Sequence, residues 1–194
     1  AAVGQKAIII APKSAPPAKV AQLLIFGAKV ILVDGTYDDA FDLTVKASQE
    51  FGWYCRNTGY NPFTVEGKKT GAFEIWEWWI EAHRDWHEKG SPLDDHSPLT
   101  VFVSVGDGNI ISGIHKGFKD LLKLGWIPNM PRIIGVQAEG SAAIANAFHA
   151  NTEIITPVSA TTMADSISVD LPRDGVRAVR AAKQTNGTYI TVSD

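Results

Sequence analysis

Apolar residues in the first third of the chain alternate between short continuous runs and stripes with helical spacing. The runs at residues 6–11, 29–33 and 53–55 predict β-strands. The stripes at 16–27 and 35–52 predict helices, because their apolar side chains recur every three or four residues. The order strand, helix, strand, helix, strand is typical of a parallel sheet with helices on its faces.

The same alternation continues through the rest of the chain. Residues 57–65 and 90–98 are polar and predict loops, and the pattern from 66 to about 89 predicts a long helix between them. Further strands are predicted at 100–105, 132–137 and 188–192, and further helices from the glycine-rich turn to about residue 124, at 141–150 and at 174–184. The predicted fold class is α/β, doubly wound, with mostly parallel sheets and a lobe boundary near residues 57–65.

Composition excludes several classes of function. Of the 194 residues, 45% are hydrophobic and 20% charged, and the net charge is −3, so neither a nucleic acid nor an anionic membrane is an expected partner. The longest apolar runs fall far short of the roughly 20 residues that span a bilayer. The N-terminus lacks the form of a signal peptide, and the single Cys55 cannot form an internal disulfide. A cytoplasmic location is therefore expected.

Neither end of the sequence resembles a natural domain boundary. The opening residues, Ala1 to Gly4, look like the last turn of a helix with its glycine stop. The other end, at Asp194, stops just after a strand-like run. We therefore expect the chain to be the central portion of a longer protein.

The most informative local feature is a glycine-rich turn between a strand and a helix. Residues 105–113 read Val-Gly-Asp-Gly-Asn-Ile-Ile-Ser-Gly. Such a turn leaves several backbone N–H groups unpaired beside a helix N-terminus, an arrangement that attracts phosphate. The spacing matches neither the dinucleotide-binding motif nor the Walker loop. By pattern alone, phosphate binding and a purely structural turn both remain open.

This segment resembles the phosphate-binding loop of the pyridoxal-phosphate enzymes with the tryptophan synthase β fold (fold type II), and is especially similar to the threonine synthase branch. Three further segments agree in the same order: 12–40, 61–75 and 131–140. The similarity continues from residue 161 to the end, so the resemblance covers nearly the whole chain. It implies two lobes, with residues 1–62 in the smaller lobe and 63–194 in the larger, cofactor-binding lobe.

The resemblance also implies pyridoxal 5'-phosphate as cofactor, with its phosphate held by main-chain N–H groups. The matching positions are Gly106, Asp107, Gly108, Asn109 and Ile110. The family's cofactor-bearing lysine would precede Ala1, and the residue facing the pyridine nitrogen would follow Asp194, so the catalytic residues of this chain stay unknown. Lys68 and Lys69 are interpreted as exposed cations near a helix start.

For the substrate, the resemblance implies a small amino acid that undergoes β- or γ-elimination or replacement. Asn57 and Thr58 match a pair that contacts the substrate phosphate in threonine synthases. Thr64 stands where those enzymes have an arginine, and Asp107 where they often have asparagine. A carboxylate repels a phosphorylated substrate, so a substrate other than O-phosphohomoserine is expected. A non-catalytic anion- or nucleotide-binding α/β module is the alternative.

Three other groups of residues are weaker candidates. His83 and His87 on the long helix are interpreted as surface histidines, and Asp94, Asp95 and His96 as solvated charges in a loop. Cys55, which could form a nucleophile pair with His115 or His149, is interpreted as a packed thiol. On the long helix, Trp78 cannot share a face with Trp76. It is expected to cover a contact between lobes or between subunits, which makes a homodimer one expectation.

Overall fold

The computed structural model describes residues 2–88 and 99–194, without the side chains of residues 84–88. The chain divides into two compact units, Ala1–Asn57 and Thr58–Asp194. The assignment of residues 1–62 and 63–194 to a smaller and a larger lobe stays a prediction.

The first unit contains two parallel strands and two helices. Their bounds are β1 Ile8–Pro12, α1 Pro17–Ile25, β2 Lys29–Val33 and α2 Tyr37–Phe51. Ile8 pairs with Lys29, and the pairing continues in parallel register along both strands. Helix α2 begins with a capping box, in which Thr36 Oγ1 accepts from Asp39 N at 3.1 Å and Asp39 Oδ2 accepts from Thr36 N at 2.8 Å. Gly52 ends the helix in a left-handed conformation.

The strand predicted at residues 53–55 is wrong. Among the described residues, this unit's sheet contains only β1 and β2, and the backbone at 53–55 is irregular. A strand exists only through its hydrogen bonds to a neighbouring strand, so a three-residue apolar run does not suffice. The ring of Trp53 instead stacks on Phe51 with centroids 4.9 Å apart.

The second unit is built on a three-stranded parallel sheet. Its elements are α3 Phe63–Lys68, α4 Thr70–Glu88, β3 Thr100–Ser104, α5 Asn109–Lys123, β4 Arg132–Ala138, α6 Ala143–His149, α7 Gly175–Lys183 and β5 Thr188–Val192. The strand order is β3-β4-β5, with Thr100 beside Arg132 and Ile134 beside Thr188. The predicted α/β class with parallel sheets is confirmed.

The sequence predicted one long helix from residue 66, but the structure has two. Helix α3 starts at Phe63 and ends at Lys68, and α4 starts at Thr70. Asn61 causes the early start: its Oδ1 accepts from Phe63 N at 2.9 Å, and its carbonyl oxygen accepts from Thr64 Oγ1 at 2.6 Å. The predicted loop at 57–65 is correspondingly shorter. The loop predicted at 90–98 lies outside the described residues.

The core of the second unit lies between one face of the sheet and the helices α5, α6 and α7. From β3 and the residue after it, Val101, Val103 and Val105 point into this core. The helices contribute fully buried side chains, among them Ile111, Phe118, Ile144, Ala178 and Val179. Within residues 2–88 and 99–194, no helix is both long and apolar enough to cross a membrane.

Candidate functional site

The turn between β3 and α5 presents a row of backbone N–H groups. Strand pairing ends when Val105 N donates to Val136 O at 2.8 Å, and α5 starts at Asn109. Gly108 turns the chain with a φ of +90°, which favours glycine. None of the five N–H groups of residues 106–110 donates to an acceptor within the described part of the chain. The turn therefore has the donors of an anion site, at the N-terminus of a 15-residue helix.

The two glycines are required by the packing of the turn itself. A Cβ added at Gly106 would lie 2.9 Å from the Cα of Ile167. A Cβ added at Gly108 would lie 3.0 Å from the carbonyl oxygen of Asp174 and 2.9 Å from Ala178 Cβ. The glycines alone therefore say nothing about a ligand. The free N–H groups are what indicate an anion site.

Gln137 supports the turn from below. Its side chain is fully buried, donates from Nε2 to Val105 O at 3.2 Å and accepts at Oε1 from Ala145 N at 2.8 Å. The strand end that precedes the turn is thereby tied to helix α6. Gln137 is not among the residues predicted from sequence, although a polar residue inside an apolar strand is a signal for such a buried support.

Asp107 ties the turn to the segment before α7. Its Oδ1 accepts from Arg173 N at 2.6 Å, and its carbonyl oxygen accepts from Asp174 N at 3.0 Å. Its Oδ2 is buried without a hydrogen-bond partner among the described residues. Burial raises the pKa of Asp107 from 3.8 to about 6, and the charge of Asp174 adds to the rise. The bond from Arg173 and the charges of Arg173 and Lys68 oppose it.

Asn109 is held between a cation and an anion. Its Nδ2 donates to Asp174 Oδ2, and Thr64 Oγ1 lies 3.4 Å from the same nitrogen. Since a carboxylate only accepts, this contact sets the orientation of the amide. The Oδ1 atom then faces Lys68, whose Nζ donates to it at 2.5 Å.

The interpretation of Lys68 and Lys69 as exposed cations is wrong, because both are half-buried and paired. Lys69 Nζ lies 2.7 Å from Glu66 Oε2 and 3.2 Å from Asp120 Oδ2, while Lys68 contacts the turn. The two lysines can approach α5 closely because glycines of α5 face them. A Cβ added at Gly113, for example, would lie 2.6 Å from Lys68 Cβ. Sequence patterns do not report such approaches between distant segments.

The predicted substrate residues lie on either side of the unit boundary. Thr58 opens the second unit in a turn, and Asn57 is the last residue of the first. Next to Thr58, a Cβ added at Gly59 would lie 2.5 Å from Arg173 Cβ and 3.3 Å from Asp107 Oδ2. The turn that carries Thr58 therefore packs against the buried side of Asp107. Substrate contact by Asn57 and Thr58 stays a prediction.

The remaining histidine candidates are engaged in packing. His115 is buried on α5, and burial lowers its pKa to about 4, with Lys119 adding to the effect. His149 Nε2 lies 3.1 Å from Tyr189 O, so this nitrogen carries the proton. His83 Nδ1 lies 3.3 Å from Trp79 O. The side chain of His87 lies outside the described residues.

Cys55 is buried in the first unit, whereas His115 and His149 belong to the second. Within the part of the chain that the structure describes, no group of three metal-ligating side chains occurs. Asp94, Asp95 and His96 lie outside that part. Trp78 is 58% exposed, and its predicted role in a contact stays a prediction.

A parallel α/β sheet whose strand leads into an N–H-lined turn and then a helix defines an α/β protein with backbone donors arranged as a phosphate-type anion would need them. The residues present fit the phosphate of an organic cofactor, because the turn offers unpaired N–H donors along its whole length. The chain belongs to the family of pyridoxal-phosphate dependent enzymes, which it matches over residues 1–194.

Its relatives include two threonine synthases. The threonine synthase of Methanocaldococcus jannaschii is 34% identical over 193 residues, which cover 98% of this chain and 44% of that protein. The threonine synthase of Mycobacterium tuberculosis is 31% identical over 189 residues, covering 97% of this chain and 46% of that protein. The chain thus spans less than half the length of these relatives.

Solved structures show the same fold. Maize serine racemase superposes with a TM-score of 0.71 and 22% identity, covering 99% of this chain and 50% of that one. The processed threonine deaminase isoform 2 of Solanum lycopersicum gives a TM-score of 0.69 and 23% identity, covering 96% and 48%. The predicted resemblance to fold type II enzymes is confirmed.

Proposed function

We propose that this chain forms the phosphate-binding part of a pyridoxal-phosphate-dependent lyase of the threonine synthase type. The N–H groups of Gly106, Asp107, Gly108, Asn109 and Ile110 hold the phosphate of pyridoxal 5'-phosphate. The observation that carries the proposal is that these donors have no acceptor among the described residues, at the start of a long helix. The chain's match to the family of pyridoxal-phosphate dependent enzymes supports the cofactor.

The bound cofactor supplies an electron-accepting ring that stabilises negative charge at the substrate's α-carbon. The residues of this chain position the group. Gln137 holds the strand end in place, while Asp107 anchors the far side of the turn through Arg173. The rigid turn makes its donors point at one place before the ligand arrives, which lowers the entropic cost of binding.

The proposed substrate is an amino acid without a phosphate group, in contact with Asn57 and Thr58. With a pKa of about 6, Asp107 carries a negative charge at neutral pH. Thr64 is buried against Asn61 and Asn109 and offers no positive charge. Both features disfavour O-phosphohomoserine. A cytoplasmic location and a homodimer belong to the same proposal, supported by the single cysteine and by exposed Trp78.

The proposal is tested with protein labelled with ¹⁵N in glycine only and titrated with pyridoxine 5'-phosphate. This alcohol analogue keeps the phosphate but cannot react with lysines. The amide signals of Gly106 and Gly108 should shift as the site fills. Those of Gly125, after the C-terminal end of α5, and Gly187, just before β5, should stay in place. Equal shifts at all four glycines, or none, would contradict the proposal.

A substitution gives a second test. Gly108→Ala should weaken binding by at least tenfold, since it strains a φ of +90° and adds a Cβ 2.9 Å from Ala178 Cβ. Gly125→Ala is the matched control: its φ is +71° but nothing lies within 4 Å of the added atom. Ammonia release from candidate amino acids, followed with the full-length protein loaded with cofactor, then identifies substrates that undergo elimination.

A further inference from the structure

Close packing of α3 on α5 brings Lys68 to the turn. A Cβ added at Gly113 would lie 2.6 Å from Lys68 Cβ and 3.0 Å from its carbonyl carbon. The backbone of Lys68 therefore lies against Gly113, one turn into α5. From there its side chain reaches Asn109, where Nζ donates to Oδ1 at 2.5 Å.

The position of this ammonium group is defined by its acceptor. Asn109 is the first residue of α5 and one of the five turn residues, and it is 2% exposed. Its amide cannot flip without placing an oxygen against Asp174 Oδ2. The oxygen that holds Lys68 is thus fixed, and the ammonium group is one hydrogen bond away from the free backbone donors.

The charges around the turn make this cation important. The carboxylates of Asp107 and Asp174 both lie beside the turn, and their negative charge opposes the binding of a phosphate. The guanidinium of Arg177 already pairs with Asp174 Oδ1 at 2.6 Å. The positive charge of Arg173 and, to a smaller extent, that of Lys68 reach the turn, since both favour the ionised form of Asp107. Of these two residues, Lys68 is the one whose cationic group donates to a side chain of the turn. Backbone N–H groups contribute only partial charges.

The geometry points to Lys68 as a further anion-binding residue, whose ammonium group makes the turn select a doubly charged phosphate monoester. This inference rests on the proposed function and refines it, because it adds a side chain with a full unit of positive charge to the backbone donors of the site. The phosphate concerned is that of the cofactor, since Lys68 is held by a residue of the turn itself.

The experiment measures the affinity of pyridoxine 5'-phosphate by calorimetry near pH 8, where the phosphate is a dianion. Lys68→Gln should lower this affinity about tenfold to a hundredfold, the worth of one charged contact. Lys68→Arg keeps the charge and should recover most of the affinity. Pyridoxine, which lacks the phosphate, should bind Lys68→Gln and the wild type equally.

Lys69→Gln is the matched control. It changes the net charge by the same amount at the neighbouring position, but the Lys69 ammonium pairs with Glu66 and Asp120 instead of the turn. Its affinity for pyridoxine 5'-phosphate should stay within about twofold of the wild type. Equal losses in the two variants would mean a general charge effect and would overturn the inference.

The outcomes separate this inference from the proposed function. A wild type that binds pyridoxine 5'-phosphate no better than pyridoxine overturns both. A wild type that prefers the phosphate, with Lys68→Gln unchanged, overturns the role of Lys68 alone. If Lys68→Gln weakens only O-phosphohomoserine, measured with saturating pyridoxine 5'-phosphate, Lys68 serves the substrate and the assignment to the cofactor is wrong.

Discussion

Asp107 shows how one residue can be identified from sequence while its environment cannot. The glycine-rich pattern predicted its place in the turn, but its carboxylate bonds to Arg173, which is 66 residues away in the chain. Asp174 and Lys68, the two groups that orient Asn109, are likewise 65 and 41 residues from it. A local pattern carries no information on such contacts, because they depend on how the helices pack.

The buried charge of Asp107 predicts an unusual pH dependence. In the unfolded chain this carboxyl ionises near pH 3.8, but in the folded protein only near 6. Between these values the folded state binds more protons, so this residue lowers the free energy of unfolding as the pH rises, with no further change above about pH 6. Asp107→Asn should therefore be more stable than the wild type near pH 7.5, by on the order of 1–3 kcal/mol, and equally stable near pH 4.

Urea denaturation at several pH values checks this prediction. Asp34→Asn serves as control, because the Asp34 side chain is 87% exposed and loses only a surface pair with Lys13. His115 acts in the opposite direction over a similar range: its lowered pKa makes the protein lose stability as the pH falls from 6.5 toward 4. A comparison of variant and wild type removes the contribution of His115. No gain for Asp107→Asn near pH 7.5 would refute the buried charge.

Among the elements, sequence periodicity located the strands that form and most of the α-helices, but it predicted one strand that does not form and merged α3 with α4. The run at 53–55 had the right residues for a strand but has no paired neighbour in its unit. The start of α3 at Phe63 depends on side-chain bonds of Asn61, which the polar loop pattern concealed. The tight contact of α3 and α4 with α5 rests on glycines that read, in sequence, only as weak helix formers.

The same substitution at two helical glycines should have opposite effects. Gly117→Ala places a methyl group onto the carbonyl oxygen of Lys69 and 2.6 Å from Ala72 Cβ, so it should cost about 1–3 kcal/mol of stability. Gly67→Ala meets nothing within 4 Å and should stabilise α3 by about 0.5–1 kcal/mol. Urea denaturation curves of both variants measure the difference. A stabilising Gly117→Ala would show that α5 does not approach α4 so closely.

At the scale of the whole molecule, one face of the second unit's sheet remains partly open. Phe102 is 63% exposed, and Ile190 and Val192 on β5 are 39% and 45% exposed. Strand register places Phe102 beside Ile134 and, one step along the same face, Val136 beside Ile190. Parallel sheets are normally covered on both faces, so an apolar face of this kind attracts other apolar surfaces.

We therefore expect Phe102→Ser to reduce both self-association of the chain and binding of a hydrophobic dye. Its cost in stability should be small, because the side chain is mostly exposed. Sedimentation and dye fluorescence measure the two effects. Trp126→Ser removes an aromatic side chain of similar exposure, 69%, that is not on a strand. If both variants reduce association equally, the open sheet face is not responsible.

The support beneath the turn has a consequence of its own. Gln137 holds the strand end through an uncharged side-chain amide, which does not gain or lose a proton at any physiological pH. The opposite anchor is the carboxylate of Asp107, which accepts from Arg173 N and gains a proton in mild acid. The neutral carboxyl still accepts through the oxygen that does not carry the proton, and its raised pKa means that the folded protein favours this form. Mild acidification should therefore remove a buried charge and leave the turn attached on both sides.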